Sequence, residues 1–362
     1  MISGLQTPLG TALSNQGNLL VSETGTTTPN TGRISIVDTG GNRRTLLAGL
    51  PSGINDVGEP SGPAGLFMRG RTLYVAIGVG DVGRPGPLPG TTIPNPNPIS
   101  SPIFSSILAI HFSANAEKTT AGFTLVPDDH QALASGEKVT LSNGGGDVIT
   151  IELVANFPDF TPNPLPSFQA NIRLSNPFQL VVVGDQVYVT DGGQNSLRQV
   201  DIPTGTFSTL AAFPNIPNPA FPGVGGPFEE AVPTGIVSFN DQLLVTLFRG
   251  FPFAPGTSTV EQIDPLTGSD TAFITGLRTA IGVLPITEDG DTDYLVLQHT
   301  SGAVLLPPFS GPGLLLRFET PAGPPTVVTN CLTRPTSMTL DKKTGTLYVS
   351  ELAGAVRSIP IP

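Results

Sequence analysis

Short apolar runs recur along this chain at a nearly constant pitch, each closed by a polar turn. A unit opens on a Pro-x-Gly or similar turn, enters a short apolar run and turns at Gly, Asp or Asn. It resumes as a second apolar run of the type Leu-Tyr-Val and ends on a polar or acidic residue. Six copies are present: PLGTALSNQGNLLVSE from Pro8, PAGLFMRGRTLYVAI from Pro63, PFQLVVVGDQVYVTD from Pro177, PTGIVSFNDQLLVTL from Pro233, TAIGVLPITEDGDTDYLVLQ from Thr279 and PTSMTLDKKTGTLYVSE from Pro335. The central valines of the second runs, Val21, Val75, Val189, Val245, Val296 and Val349, are spaced by 54, 114, 56, 51 and 53 residues, so four intervals agree and one is double. A fixed period of this size is the mark of a repeat architecture.

Third runs follow in GRISIVDTGG, NSLRQVDIPTG, STVEQIDPLTG and PGLLLRFETPAG, and fourth runs in TLLAGL, STLAAF, TAFITGL and TVVTNCL. These are β-formers between turn signals. Four antiparallel strands per unit, repeated radially, predict an all-β fold, a six-bladed β-propeller. The last unit stops at its third strand, AVRSIPIP, while the chain opens with MISGL, which looks like the tail of a fourth strand. The N-terminal strand is therefore expected to close the last blade, removing two open sheet edges.

The double interval holds a Pro-rich loop, residues 81–105, which cannot lie in a central strand because proline lacks the amide donor. After it, SSILAIHF supplies the third strand of the second blade and VITIELVANF the fourth, with an insertion at residues 113–147 between them. The insertion carries two short β runs, a helical turn at 128–134 and a glycine turn. A competing reading makes KVTLSNGGGDVITIEL part of a seventh blade. It lacks the Pro-x-Gly inner strand, so six blades with an inserted β-rich region are expected, in one domain spanning residues 1–362.

Charge narrows the functional classes. The 17 Lys and Arg against 28 Asp and Glu give a net charge of −11, so the chain has no basic footprint for a nucleic-acid backbone. No apolar window approaches the length of a membrane-spanning helix. With Cys331 alone no intrachain disulfide can form and the compartment is not readable from cysteine, but only 4 Lys and long neutral loops rich in Thr, Ser, Asn and Pro lean toward an exported protein, periplasmic or extracellular. The opening residues MISGLQTP show neither a basic nor an apolar leader region, so the expectation is either a cytoplasmic protein or a mature exported chain without its leader.

Candidate chemistry is thin. The histidines, His111, His130 and His299, show no metal-type spacing, and no G-x-S-x-G elbow occurs. His299 follows a second strand and is a candidate for the channel mouth. The position ending each second strand reads Glu23, Ile77, Asp191, Leu247, Gln298 and Glu351. Carboxylates recurring in a ring could converge on Ca²⁺ or Mg²⁺, but an acid at a strand end also accepts hydrogen bonds from the next turn. Asn176, opening the third inner strand, and residues 59–62, opening the second, belong to the same mouth. Asp289, Asp291 and Asp293 alternate as calcium ligands do, in a segment that equally suits a solvated hairpin turn.

At these residues the chain resembles a family, the exported propeller proteins with NHL-like repeats encoded with the scytonemin biosynthesis genes of cyanobacteria and their relatives. The resemblance rests on SGPAGLFMRGRTLYVAIG from Ser61, SNPFQLVVVGDQVYVTDGGQNSLRQVD from Ser175, VPTGIVSFNDQLLVTLFRGFPFAPGTSTVEQID from Val232 and the VANFPDF stretch. It implies an exported six-bladed propeller and carries over no catalytic residue. Streptogramin lyases and gluconolactonase-like enzymes share the blade pattern and use a channel metal, but their ligands do not map here. Two functions remain. The first is a non-catalytic module binding a small molecule, another extracellular protein or copies of itself. The second is a metal-dependent lyase, lactonase or oxidative-maturation enzyme with Glu23, Asp191, Glu351 and Asn176 at its mouth.

Overall fold

The computed structural model describes residues 1–302 and 311–361. Its strands gather into six four-stranded antiparallel blades, two of them with a fifth strand, around a central axis. The inner strands are Pro8–Leu13, Pro63–Arg69, Pro177–Val183, Pro233–Phe239, Ala280–Glu288 and Pro335–Asp341. The fifth opens without proline and still forms a regular blade with Asp291–Gln298, Gly313–Phe318 and Thr326–Leu332. In the sixth, Ile2–Ser3 pairs antiparallel with Ala355–Pro360, Ile2 opposite Val356, so the N-terminal strand closes the ring.

Each second strand is apolar on both sides because a blade buries both of its faces. In Thr72–Ile77, Leu73, Val75 and Ile77 pack toward the first blade, while Tyr74 and Ala76 pack toward the third. The core is accordingly six clusters, one at each seam between neighbouring blades. Alternate residues of a strand point to opposite sides, so a run with no polar interruption is what a strand sandwiched between two sheets needs.

The insertion does not make a seventh blade. Val139–Ser142 pairs with the fourth strand Val148–Asn156 and becomes a fifth strand of the second blade, while Phe123–Thr124 lies parallel on the outer strand Arg43–Leu50 of the first. Between them runs the helix Pro127–Ala134, whose Leu133 is fully buried with Phe123 and Leu125 in the first seam. The segment thus seals the outer edges of two blades. The Pro-rich loop carries its own short ribbon, Gly83–Pro85 with Thr92–Pro94. It shares one face of the ring, here the upper face, with hairpins Gly53–Ile54 with Pro60–Ser61, Phe160–Pro162 with Ile172–Leu174, and Ile216–Pro217 with Phe228–Glu229. Among the described residues, no helix is long and apolar enough to cross a membrane.

Candidate functional site

Every inner strand begins with a break in its pairing, a register shift just after its first residue. Such a bulge leaves an amide without a ladder partner, and a buried amide must find another acceptor. In three blades that acceptor is the hydroxyl one position before the end of the second strand. Gly10 N–H donates to Ser22 Oγ at 2.8 Å, Gln179 N–H to Thr190 Oγ1 at 3.0 Å and Gly235 N–H to Thr246 Oγ1 at 2.7 Å. The hydroxyls pass the bond on to the next blade, Ser22 to Ala64 O and Thr190 to Thr234 O at 2.6 Å. At the closing seam Thr336 Oγ1 donates to Pro8 O at 3.0 Å. The strands press together here: a Cβ added at Gly10 would stand 2.2 Å from Ala64 O, and one at Gly65 2.5 Å from Phe178 O. This waist divides the axis into a lower funnel and an upper mouth.

The acids and amide that end the second strands belong to the frame around the mouth. Glu23 is fully buried and accepts from Gln6 N at 2.5 Å, Arg33 Nη2 at 2.6 Å and Ser35 Oγ at 2.5 Å. Asp191, also fully buried, accepts from Asn176 N at 2.7 Å, Ser175 Oγ at 2.6 Å, Gln194 N at 3.1 Å and Arg198 Nε at 2.9 Å. Glu351 accepts from Thr333 N at 2.6 Å and Arg357 Nε at 2.8 Å, and Gln298 Oε1 from Arg278 N at 2.6 Å. Each clasps the loop leading into its own inner strand, and the three carboxylates are held there by an arginine from the third strand. They are occupied within their own blades and do not converge on the axis.

Asp289 and Gly290 form a hairpin turn with positive φ at both residues, 51° and 94°, while Asp293 pairs with Arg317 Nε at 2.5 Å. Among the described residues no group of three or more His, Cys, Asp or Glu is placed to hold a metal ion. The histidines lie apart. His111 bridges Thr72 and Glu152 on the second blade, and His130 reaches Gly49 O from the inserted helix. His299 does face the upper mouth, as does Asn176.

The lower funnel encloses about 770 Å³ and is lined by the inner strands of all six blades. Its walls are Leu66, Leu180, Ile236, Val283 and their neighbours, and they include Met68 and Met338, the two methionines other than Met1. A polar crescent stands on one side, where Thr11 Oγ1 meets Ser337 Oγ at 3.0 Å and Thr339 Oγ1 at 2.8 Å. Across the ring, Gln179 occupies the position that is glycine in four other blades and serine in the sixth. Its side-chain amide, half-buried in the funnel, has no hydrogen-bond partner among the described residues. Lys342, exposed at the rim, is the one charged residue of the lining.

The upper mouth encloses about 330 Å³. Phe178, Phe248 and Ile281 form apolar wall, with Asn176, Arg334 and Glu59 around it. The His299 ring packs on Phe248 at 5.7 Å and donates its Nδ1 hydrogen to Pro335 O at 2.9 Å. Burial lowers the His299 pKa to about 4, so the ring is neutral at pH 7.

Of the residues lining the two cavities, Asn176 and His299 stand out in the sequence, whereas Gln179, Arg334 and the hydroxyl belt belong to none of its candidate motifs. The signals were present. Gln179 breaks the Pro-x-Gly pattern, and Ser22, Thr190, Thr246 and Ser350 all precede the strand-end position.

No family model and no curated protein matches the sequence. Among the solved structures that match, one is a chain of the nidogen/laminin complex, 12% identical over 93% of this chain and 90% of that one, with a TM-score of 0.45. Another is the computationally designed Ika8 protein, 11% identical over 99% of this chain and 89% of that one, with a TM-score of 0.39. Likeness at this level assigns no chemistry to either mouth.

Proposed function

We propose that this propeller is a binding module that holds a neutral, lipophilic small molecule in the lower funnel. The observation that carries the reading is the Gln179 amide, without a hydrogen-bond partner among the described residues, in a largely apolar funnel of about 770 Å³. Ligand sites are typically apolar concavities of roughly 300–1,000 Å³ with a few fixed polar groups that set orientation. An amide both donates and accepts, so Gln179 suits a ligand carrying a carbonyl or hydroxyl at its buried end. A charged ligand would lose its hydration with no counter-ion deep in the funnel, which favours a neutral one. Met68 and Met338 supply side chains that refit to different apolar outlines.

The low charge of the chain supports an exported module of this kind. Self-assembly through the 113–147 insertion has less support, because the insertion's buried side chains are already packed on the first two blades.

Nile red, a neutral lipophilic dye bearing a carbonyl, provides the test. Its fluorescence should rise saturably at one site per chain. Val237→Trp, which fills the funnel, should abolish the rise, and Gln179→Leu should weaken binding about 2- to 10-fold, the range expected for one hydrogen bond. Binding unchanged in Val237→Trp would overturn the assignment.

A further inference from the structure

The upper mouth differs from the funnel in its electrostatics. Arg33, Arg198, Arg317 and Arg357 are each tied to a carboxylate. Arg334 is not. It lines the mouth half-buried, and among the described residues no carboxylate oxygen lies within 4.0 Å of its guanidinium. Its backbone is pinned, because its carbonyl accepts from Leu352 N at 3.0 Å, so the side chain leaves a fixed point of the rim. Its positive φ of 48° is shared by Thr7, Val232 and Thr279 at equivalent positions, so that feature belongs to the fold and not to the site.

Asn176 lines the same mouth from the third blade, opposite the sixth in the ring. Its Oδ1 accepts from Val79 N at 3.1 Å, and this turns the amide so that Nδ2 is left as the donor. The mouth therefore offers a guanidinium and an amide N–H₂ beside the apolar surfaces of Phe178, Phe248 and Leu9. Neutral His299 adds no second cation. Glu59, exposed at the edge, is the one acid in the lining.

We propose that the upper mouth is a second binding site, for a small carboxylate whose apolar body lies on Phe178 and Phe248 and whose carboxylate pairs with Arg334 and Asn176 Nδ2. Arginine matches a carboxylate with paired N–H donors, and the bond strengthens where neighbouring apolar groups exclude water. Glu59 and the net charge of −11 disfavour polyanions, so the ligand carries a single negative charge. The site is separate from the funnel: the waist lies between them, and among the described residues Ile281 alone lines both.

Titration calorimetry with 1-naphthoate, an aromatic monocarboxylate, tests the site, with 1-naphthalenemethanol as its neutral counterpart. One naphthoate should bind per chain, at least 10-fold more tightly than the alcohol. Arg334→Gln should weaken naphthoate at least 10-fold and leave the alcohol unchanged. Asn176→Asp keeps the acceptor for Val79 N but turns the donor into a repelling oxygen, and it should weaken naphthoate similarly, which covers the case in which the arginine variant does not fold. Gln179→Leu should leave naphthoate unaffected while reducing Nile red binding, so failure at one mouth is distinguishable from failure at the other. Absent naphthoate binding, equal affinity for acid and alcohol, or equal naphthoate affinity in wild type and both mouth variants would overturn the proposal.

Discussion

His299 shows how far a residue's surroundings can move it from its ordinary behaviour. The ring sits between Phe248 and the carbonyl of Pro335 with 5% of the residue exposed, and burial brings its pKa down to about 4. In the unfolded chain the imidazole takes up its proton near pH 6.5. The stability gained by keeping the ring neutral is fully present above pH 6.5 and is lost as pH falls toward 4, by about 3 kcal/mol at full extent. His130 is shifted in the same direction by its own burial, whereas Asp159, raised by burial, acts oppositely in the acid range. The contribution of His299 is therefore the difference between two proteins. Urea midpoints should fall from pH 7 to pH 4.5 in the wild type and fall less in His299→Gln; parallel profiles would show that the ring does not carry this dependence. The sequence placed His299 near the channel mouth from its position after a strand. It held no sign of the neutral state, which depends on Phe248 of the fourth blade and Pro335 of the sixth closing around a ring in the fifth.

At the scale of the element, the bulged inner strand and its hydroxyl explain why the blades can pack without a gap. Gly10 is required by close approach, since no Cβ fits 2.2 Å from a backbone oxygen, and Ser22 is required because the bulge frees the Gly10 amide. Ser22→Ala leaves a buried donor without its partner and should cost about 1–3 kcal/mol. Gly10→Ala must push the first two blades apart and should cost more. Chemical denaturation of the two variants checks the order, and equal small losses would show that the seam adjusts freely. The Pro-x-Gly signature was readable as a turn, but its glycine serves a contact with the neighbouring blade about 54 residues away, which local pattern does not reveal. The acids Glu23, Asp191 and Glu351 invited a metal reading for a similar reason. Their recurrence was visible, while the arginines and loop amides that occupy them become their neighbours only after the strands pair.

For the whole molecule, closure is the decisive event. Ile2–Ser3 completes the sixth blade, Leu5 N–H donates to Gly354 O at 3.1 Å, and the Leu5 side chain is buried with Leu19, Val21 and Val356 in the seam between the last blade and the first. Removing residues 1–5 strips that seam of two large aliphatic side chains and should cost about 3 kcal/mol or more. The melting temperature should drop, and hydrogen exchange should rise first in the first and sixth blades while the third and fourth stay protected. Uniform loss of protection would mean that the ring opens as one cooperative body. Closure also matters for binding, because the Thr11, Ser337 and Thr339 crescent of the funnel is assembled across this seam.

The six-fold repeat, the strand order within a blade, the closing role of the N-terminus and the presence of an inserted β-rich region were legible in the amino-acid pattern. These depend on alternation, turn residues and spacing, all of which are local. That the insertion seals two outer edges, that the strand-end acids clasp loops of their own blades, and that Gln179 and Arg334 line opposite ends of the axis emerged from the folded ring. Those outcomes depend on which side chains from distant blades meet, and on what charge or hydrogen-bonding capacity is left over once the neighbours have been satisfied.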